Sequence, residues 1–317
     1  MNHFLTIGDH PKEMLQHILQ QSTYLHKNPS IKTLDGRNIL FCFEKPSLRT
    51  KVGTEVAINQ LGGRVIHISP EAFLGGKVMH PSEFTDDIPE EREDLKDTVK
   101  NVSEWCDAIF ARVYHHQTLR TLAKYSSIPI VNALCDKYHP MQALADLYTL
   151  QEKLGTDRPL TISFVGDANN VAYSLIELAL ILGHEIRFSG PTGYYWSSKQ
   201  LEYFSQLAAK YGGTFFHTSK PAEAVSKADA VYTDAFVSMG EEHAYQAKIK
   251  HFSNYQVNEK LFADAPSHAG FMHCLPAHRG VEVTNDVIDH PNSWVYDQAR
   301  NRMVVSKGVF TTLLTDI

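Results

Sequence analysis

Asn38-Ile39-Leu40-Phe41-Cys42-Phe43-Glu44-Lys45-Pro46-Ser47-Leu48-Arg49-Thr50 sets a β-rich run directly before a helix start. Asn38 to Phe43 has the composition of a strand, and Pro46 ends it because proline cannot donate to a ladder. Ser47 is a good N-cap for the helical pattern that continues to Gln60. Similar strands are expected at Arg64 to Ser69, Ala108 to Val113 and Pro129 to Asn132, with helices at Leu95 to Trp105 and Gln117 to Tyr125. A second series of strands is expected at Thr161 to Gly166, His184 to Ser189, Thr214 to His217, Ala230 to Thr233 and Gly270 to His273. Strands alternating with helices imply an α/β fold of βαβ units, with parallel sheets covered on both faces.

The helix from His139 to about Leu154 lies between the two series and is a natural bridge between two domains. A last helical pattern, about Gln298 to Leu314, can pack back on the first. The chain's 317 residues suit two domains of ordinary size. The stretch from Gly75 to Arg92 holds Pro81, Pro89 and two acidic pairs and reads as a long exposed loop.

Composition narrows the function. A net charge of -6 argues against a general nucleic-acid binder. A mean hydropathy of -0.27 and the absence of any apolar run near 18 residues argue against a membrane span. The four cysteines form no Cys-x-x-Cys pair, and no secretory leader is evident, so a reduced, cytoplasmic protein is expected.

Candidate chemistry clusters at strand ends. The helix start at Ser47 offers free N–H groups and a partial positive charge to a phosphate, with Thr50 and Arg49 adding donors. Taken alone, it is equally an ordinary capped helix. Arg112, in Ala111-Arg112-Val113-Tyr114, sits where open parallel sheets bind ligands, though a strand-end arginine often only pairs with a surface carboxylate. His139 and Gln142, in His139-Pro140-Met141-Gln142, lie three apart on one helix face and can hold a carbonyl oxygen and an NH2 group, though the residues alone fit a capping histidine with a solvent-facing glutamine better. Gly166-Asp167-Ala168-Asn169-Asn170 carries one glycine where a dinucleotide fingerprint needs three, so no nicotinamide cofactor is expected. Asp234 ends a strand and suits an amino group, or simply caps the next element. His273-Cys274-Leu275-Pro276 lacks a second ligand pair at zinc spacing, so no metal is expected.

Together, Phe-Glu-Lys-Pro-Ser-x-Arg-Thr, Ala-Arg-Val-Tyr, His-Pro-x-Gln, Gly-Asp-x-Asn-Asn-Val, Asp-x-x-Val-Ser-Met-Gly and His-Cys-Leu-Pro resemble the ornithine carbamoyltransferase family over essentially the whole chain. The resemblance implies two doubly wound parallel-sheet domains joined by bridging helices, usually in a homotrimer or a multiple of trimers. It implies a carbamoyl phosphate-binding domain at 1–138, an ornithine-binding domain at 139–297, and a C-terminal helix at 298–317 returning to the first. Ser47, Leu48, Arg49 and Thr50 would bind phosphate, and Arg112 both phosphate and carbonyl. His139 would donate to the carbonyl oxygen and Gln142 would hold the carbamoyl NH2, with Cys274, Leu275 and Arg302 completing the pocket. Thr50, Arg112, His139 and Cys274 are the implied catalytic group, Cys274 as a positioning residue. Asn170, Asp234, Ser238 and Met239 match the ornithine-binding positions. The implied partners are carbamoyl phosphate and L-ornithine, without a cofactor.

Three departures bear on the acceptor amine. Phe73 stands where the family usually has a Gln or His contacting a neighbouring subunit's site, and the loop that follows is longer than usual: either Lys77 or His80 replaces the phosphate contact, or the loop is solvated and has no role. Relatives that use N-acylated ornithines also lengthen this region. Phe236 replaces a Trp, and Arg300 replaces a Glu. An N-acylated ornithine or putrescine is therefore the alternative acceptor, and a silent metabolite-binding paralogue the alternative outside catalysis.

Overall fold

Parallel strands need a crossover after each strand, and the chain supplies helices for that purpose. The computed structural model describes residues 3–74, 93–237 and 245–315. The first half runs α1 (Lys12–Lys27), β1 (Asn38–Phe43), α2 (Leu48–Gln60), β2 (Arg64–Ile68), α3 (Pro70–Phe73) and α4 (Leu95–Trp105). It continues with β3 (Ala108–Arg112), α5 (His116–Tyr125) and β4 (Ile130–Leu134). After α6 (Pro140–Leu154) come β5 (Thr161–Val165), α7 (Asn170–Leu182), β6 (Glu185–Ser189), α8 (Ser198–Tyr211) and β7 (Thr214–Thr218). Then follow α9 (Pro221–Val225), β8 (Ala230–Tyr232), α10 (Tyr245–Phe252), α11 (Glu259–Ala263), β9 (Gly270–Met272), α12 (Asn285–Ile288) and α13 (Val295–Leu314). Each run read from the sequence as a strand forms one, with ends moved by a residue or two.

Among the described residues the strands build a four-stranded sheet, β2-β1-β3-β4, and a five-stranded sheet, β7-β6-β5-β8-β9. Every pairing between these strands is parallel. In the first sheet the winding reverses between β1 and β3, whose register sets Phe43 beside Arg112. In the second it reverses between β5 and β8. Ligands collect at the carboxyl ends of strands at such reversals. Both reversal points open on one cleft between the sheets.

One apolar core runs through both halves, from Phe41 and Phe110 under the first sheet to Phe164 and Phe188 under the second. Smaller cores fill the outer face of each sheet. Helix α13 lies against α1, α2 and α6. At the α1 crossing, a Cβ on Gly308 would stand 2.2 Å from Ser22 Oγ and 2.4 Å from the Ile18 carbonyl oxygen. Only glycine permits that approach. Thr33 and Thr54 each share a hydrogen bond with α13, to Thr311 at 2.7 Å and to Ser306 at 3.1 Å.

Phe73, the first departure from the family pattern, has a structural place of its own. It is fully buried at the end of α3, in the outer core with Leu40 and Val99. Its ring fills this chain's own interior, so it does not reach a neighbour's site. The loop at 75–92, with Lys77 and His80, lies outside the described residues. The third departure, at Phe236 and Arg300, is structural. Phe236 stacks on Phe252, and Arg300 pairs with Glu152 at 2.5 Å and Asp297 at 3.1 Å. Among the described residues, no helix is long and apolar enough to cross a membrane.

The N-terminal segment fastens one half to the other. Phe4 exchanges 2.8 Å backbone hydrogen bonds with Ile130 and Asn132 beside β4. Gly8 then presses on α7 and α8, where a Cβ would stand 2.4 Å from Tyr203 Oη and 2.6 Å from Glu177 Oε1. Tyr203 Oη donates to Glu177 Oε1 at 2.9 Å, and burial pushes the Glu177 carboxyl up to about 8. The folded chain thus keeps a proton that the unfolded chain releases above the ordinary value of 4.5. Stability from this site falls as pH rises from that value to about 8, then levels. Glu177→Gln should flatten this slope, adding on the order of 2 kcal/mol at pH 8.5 and little at pH 5. Urea unfolding at both pH values reads this directly; parallel pH profiles for the two proteins would refute it.

Candidate active site

The cleft encloses about 1120 Å³ and takes its walls from both sheets. Ser47, Leu48, Arg49, Thr50, Arg112, His139, Gln142, Asn170, Asp234, Cys274, Leu275 and Arg302 all line it. Ser238 and Met239 lie outside the described residues.

The first wall is cationic. Ser47 occupies the N-cap of α2 in extended backbone, but its hydroxyl makes no capping bond. The free amides of the first turn, the Ser47 hydroxyl and Arg49 therefore converge on the cleft as an anion cradle. Arg112 leaves the end of β3 beside them. Burial lowers its pKa, and the nearby Arg49 cation lowers it further. Its Nε is buried with no hydrogen-bond partner among the described residues. Two guanidinium groups held this close favour a dianion between them.

The floor is a buried polar cluster. Arg302, from α13, donates to Thr50 Oγ1 at 2.9 Å and to Gln142 Oε1, and approaches His139 Nε2 at 3.5 Å. Burial brings the Arg302 pKa down to about 10, so it stays cationic at neutral pH. Its charge, with that of Arg112, adds to burial in pushing the His139 pKa well below the ordinary value. His139 is therefore neutral and carries one ring proton. Arg302 can only donate, so Nε2 accepts and the proton sits on Nδ1, which has no partner among the described residues. Thr50, accepting from Arg302, likewise keeps its own hydroxyl proton to give.

The second wall is built on the ends of β5, β8 and β9. Asn169 caps α7 through its side-chain oxygen and donates Nδ2 to Asp234 Oδ2 at 2.8 Å. Cys274 Sγ donates to Asp234 Oδ1 at 3.1 Å. Asn170 donates to the Cys135 carbonyl at 2.7 Å, across the two halves. Leu275 has φ +57, a left-handed backbone uncommon for a side chain of this size, and precedes a cis peptide to Pro276. Non-glycine residues in this conformation cluster at ligand sites. Deeper in the same wall, the buried Lys248 donates to Asp167 Oδ2 at 2.6 Å.

A family model for the aspartate/ornithine carbamoyltransferase carbamoyl-P binding domain matches residues 2–152, and one for the Asp/Orn binding domain matches 158–313. The chain belongs to the aspartate/ornithine carbamoyltransferase family. It is 40% identical to an ornithine carbamoyltransferase of Pyrococcus abyssi, over 98% of this chain and 95% of that relative. The solved ornithine carbamoyltransferase of Pyrococcus furiosus superposes with a TM-score of 0.89 at 38% identity, covering 100% of this chain and 98% of that one. A mutant N-acetyl-L-ornithine transcarbamylase matches at TM-score 0.85 and 27% identity, over 99% of this chain and 100% of that one.

Within this carbamoyltransferase site, the sequence reading missed Asp146, Gln298, Asn169 and Lys248. Asp146 follows Gln142 by one helical turn, and that spacing was the available signal. Gln298 and Lys248 come from distant helices with no local pattern. The structure also brings Asp234, His273 and Cys274 together, with ligand-type atoms within 4.8 Å of one another. Each already has a hydrogen-bonding task, since His273 Nδ1 accepts from the Leu275 amide at 2.8 Å and the thiol donates to Asp234. Burial first, and then the Asp234 charge, push the Cys274 thiol well above its ordinary value. A protonated thiol is a weak nucleophile and a weak ligand. In the native protein at pH 8, iodoacetamide should label Cys274 at least about tenfold more slowly than in the unfolded chain. Asp234→Asn should speed native labelling several-fold by removing the neighbouring charge. Peptide mass spectrometry measures both, and fast native labelling at Cys274 would contradict the protonated thiol.

Proposed function

We propose that the chain transfers the carbamoyl group of carbamoyl phosphate to the side-chain amine of L-ornithine, giving L-citrulline and phosphate. The observation that carries this reading is the pairing of the two walls. A cationic cradle with three unspent donors faces the Asp234 carboxylate across one cleft. The α2 amides, Ser47, Leu48, Arg49 and Thr50 hold the phosphate, with Arg112 spanning phosphate and carbonyl. Gln142, the Cys274 and Leu275 backbone, and Arg302 frame the carbamoyl group. Asp234 takes the α-ammonium of ornithine, while Asn170 and the backbone at Ser238 and Met239 take the carboxylate end.

The neutral side-chain amine attacks the carbamoyl carbon, and negative charge grows on the carbonyl oxygen. Thr50, Arg112 and the neutral His139 donate to that oxygen. Phosphate then leaves into the cradle that already holds it, and the ammonium formed on nitrogen loses its proton. Holding both substrates in one cleft removes much of the entropic barrier. Cys274 orients Asp234 and stays unmodified.

Residues 1–138 form the carbamoyl phosphate-binding unit in this reading and 139–297 the ornithine-binding unit, with 298–317 returning to the first. A homotrimer is supported by an apolar stripe on α2, where Leu48, Val52 and Val56 stand exposed beside Ile66 on the edge strand β2. Four free cysteines fit the reducing cytoplasm. An N-acylated ornithine lacks the α-ammonium that Asp234 would receive, and putrescine lacks the α-carboxylate, so the second wall favours ornithine over both.

Purified protein given carbamoyl phosphate and each amine in turn should form ureido product fastest with ornithine. Its kcat/KM should climb with pH toward the side-chain amine's pKa of about 10. Product from N-acetylornithine or putrescine alone would overturn the acceptor, and no product from any amine would leave a binding protein. Arg112→Ala should lower kcat/KM by roughly 100- to 1,000-fold through the lost donor; steady-state assays with unchanged rates would remove Arg112 from the reaction.

A further inference from the structure

An amide side chain has a donor end and an acceptor end of nearly equal shape, and the hydrogen bonds around it decide which faces a ligand. For Gln142 that choice is set from behind. Asp146, one turn along α6, is fully buried, and its Oδ1 accepts from Gln142 Nε2 at 2.8 Å and from Gln298 Nε2 at 2.8 Å. Gln298 Oε1 in turn accepts from the His273 amide at 2.9 Å. With its NH2 turned back to Asp146 through one N–H, Gln142 presents its oxygen toward Arg302 and the cleft. That oxygen has a second lone pair, and its only complement on a small acyl phosphate is an N–H.

We propose that Asp146 is a positioning residue that presents the Gln142 oxygen to the acyl site, so that the site selects a carbamoyl NH2 over a methyl group of the same size. The inference rests on the carbamoyl phosphate reading above. Burial pushes the Asp146 carboxyl up to about 7. In either protonation state Oδ1 remains an acceptor, because a proton can reside on Oδ2 beside the buried Tyr232. What the site needs from Asp146 is an acceptor oxygen at this place, and the charge is secondary. Asparagine supplies the same oxygen; leucine does not.

The test compares carbamoyl phosphate, read as KM, with acetyl phosphate, read as Ki against it. The two share the phosphate and carbonyl and differ in NH2 against CH3. In Asp146→Leu the KM for carbamoyl phosphate should rise roughly 10- to 100-fold while the Ki of acetyl phosphate moves less than about threefold. Asp146→Asn should keep selectivity within about threefold of wild type. Gln142→Leu should lose the same selectivity, and adding Asp146→Leu to it should cost no more, because both act on one contact. If Asp146→Leu does not fold, Asp146→Ser, too short to reach Gln142, reads the same loss. Constants that rise together, full additivity with Gln142→Leu, or loss in Asp146→Asn would each overturn the proposal. A wild type that forms no ureido product overturns the carbamoyl reading itself, whereas normal turnover with unchanged selectivity in Asp146→Leu overturns this inference alone.

Discussion

Arg302 is a permanent cation sealed inside the protein. Burying such a group costs several kcal/mol unless hydrogen bonds and opposite charge surround it. Here Thr50 comes from α2, and Gln142 and Asp146 from α6. None of these elements is close to α13 in sequence, so satisfying one guanidinium draws three separate helices to a single point. The same demand fixes the tautomer of His139 and, together with Asp146 behind it, turns the Gln142 amide. Acceptors for the cation and a set of spare donors at the cleft are thus two aspects of one hydrogen-bond arrangement.

Topology explains why the cluster faces a cleft at all. Each sheet reverses its winding once near its middle, between β1 and β3 and between β5 and β8. At a reversal the flanking loops diverge to opposite faces and leave a crevice at the strand ends. Helices α6 and α13 hold the two crevices opposite each other. The first collects arginines and a helix start; the second collects Asp234 with its partners Asn169 and Cys274. Cationic and anionic walls therefore meet across the gap, which suits two substrates of opposite local charge.

Much of this could be read from the residues. Strands such as Ile39–Cys42 and Ile130–Leu134 are buried throughout, so their apolar runs are unambiguous. The motif residues stand out because strand ends punctuated by Pro46, Pro140 and Pro276 are short and regular. What escaped reading depends on the third dimension. Asp146 and Gln298 work by meeting each other, and nothing along the chain links positions on α6 and α13. Lys248 sits on a helix whose neighbours do not hint that its ammonium turns inward to Asp167. Phe73 marks a different limit: the pattern showed that the usual polar residue is missing there, but only the fold shows the apolar ring following burial energetics into the core.

The seating of α13 on α1, α2 and α6 has a consequence for how the chain is made. The first sheet is synthesised early, but the helix that covers it, seals the Gly308 crossing and carries Arg302 is made only after the whole second sheet. Until then the nascent first half holds open an apolar face that α13 fills, and Thr50 and Gln142 wait without their cation. The helix start at Ser47 can form before the second sheet is made; the Arg302 cluster cannot. A ribosome that stops short of α13 leaves behind an exposed core of the kind that chaperones and proteases recognise.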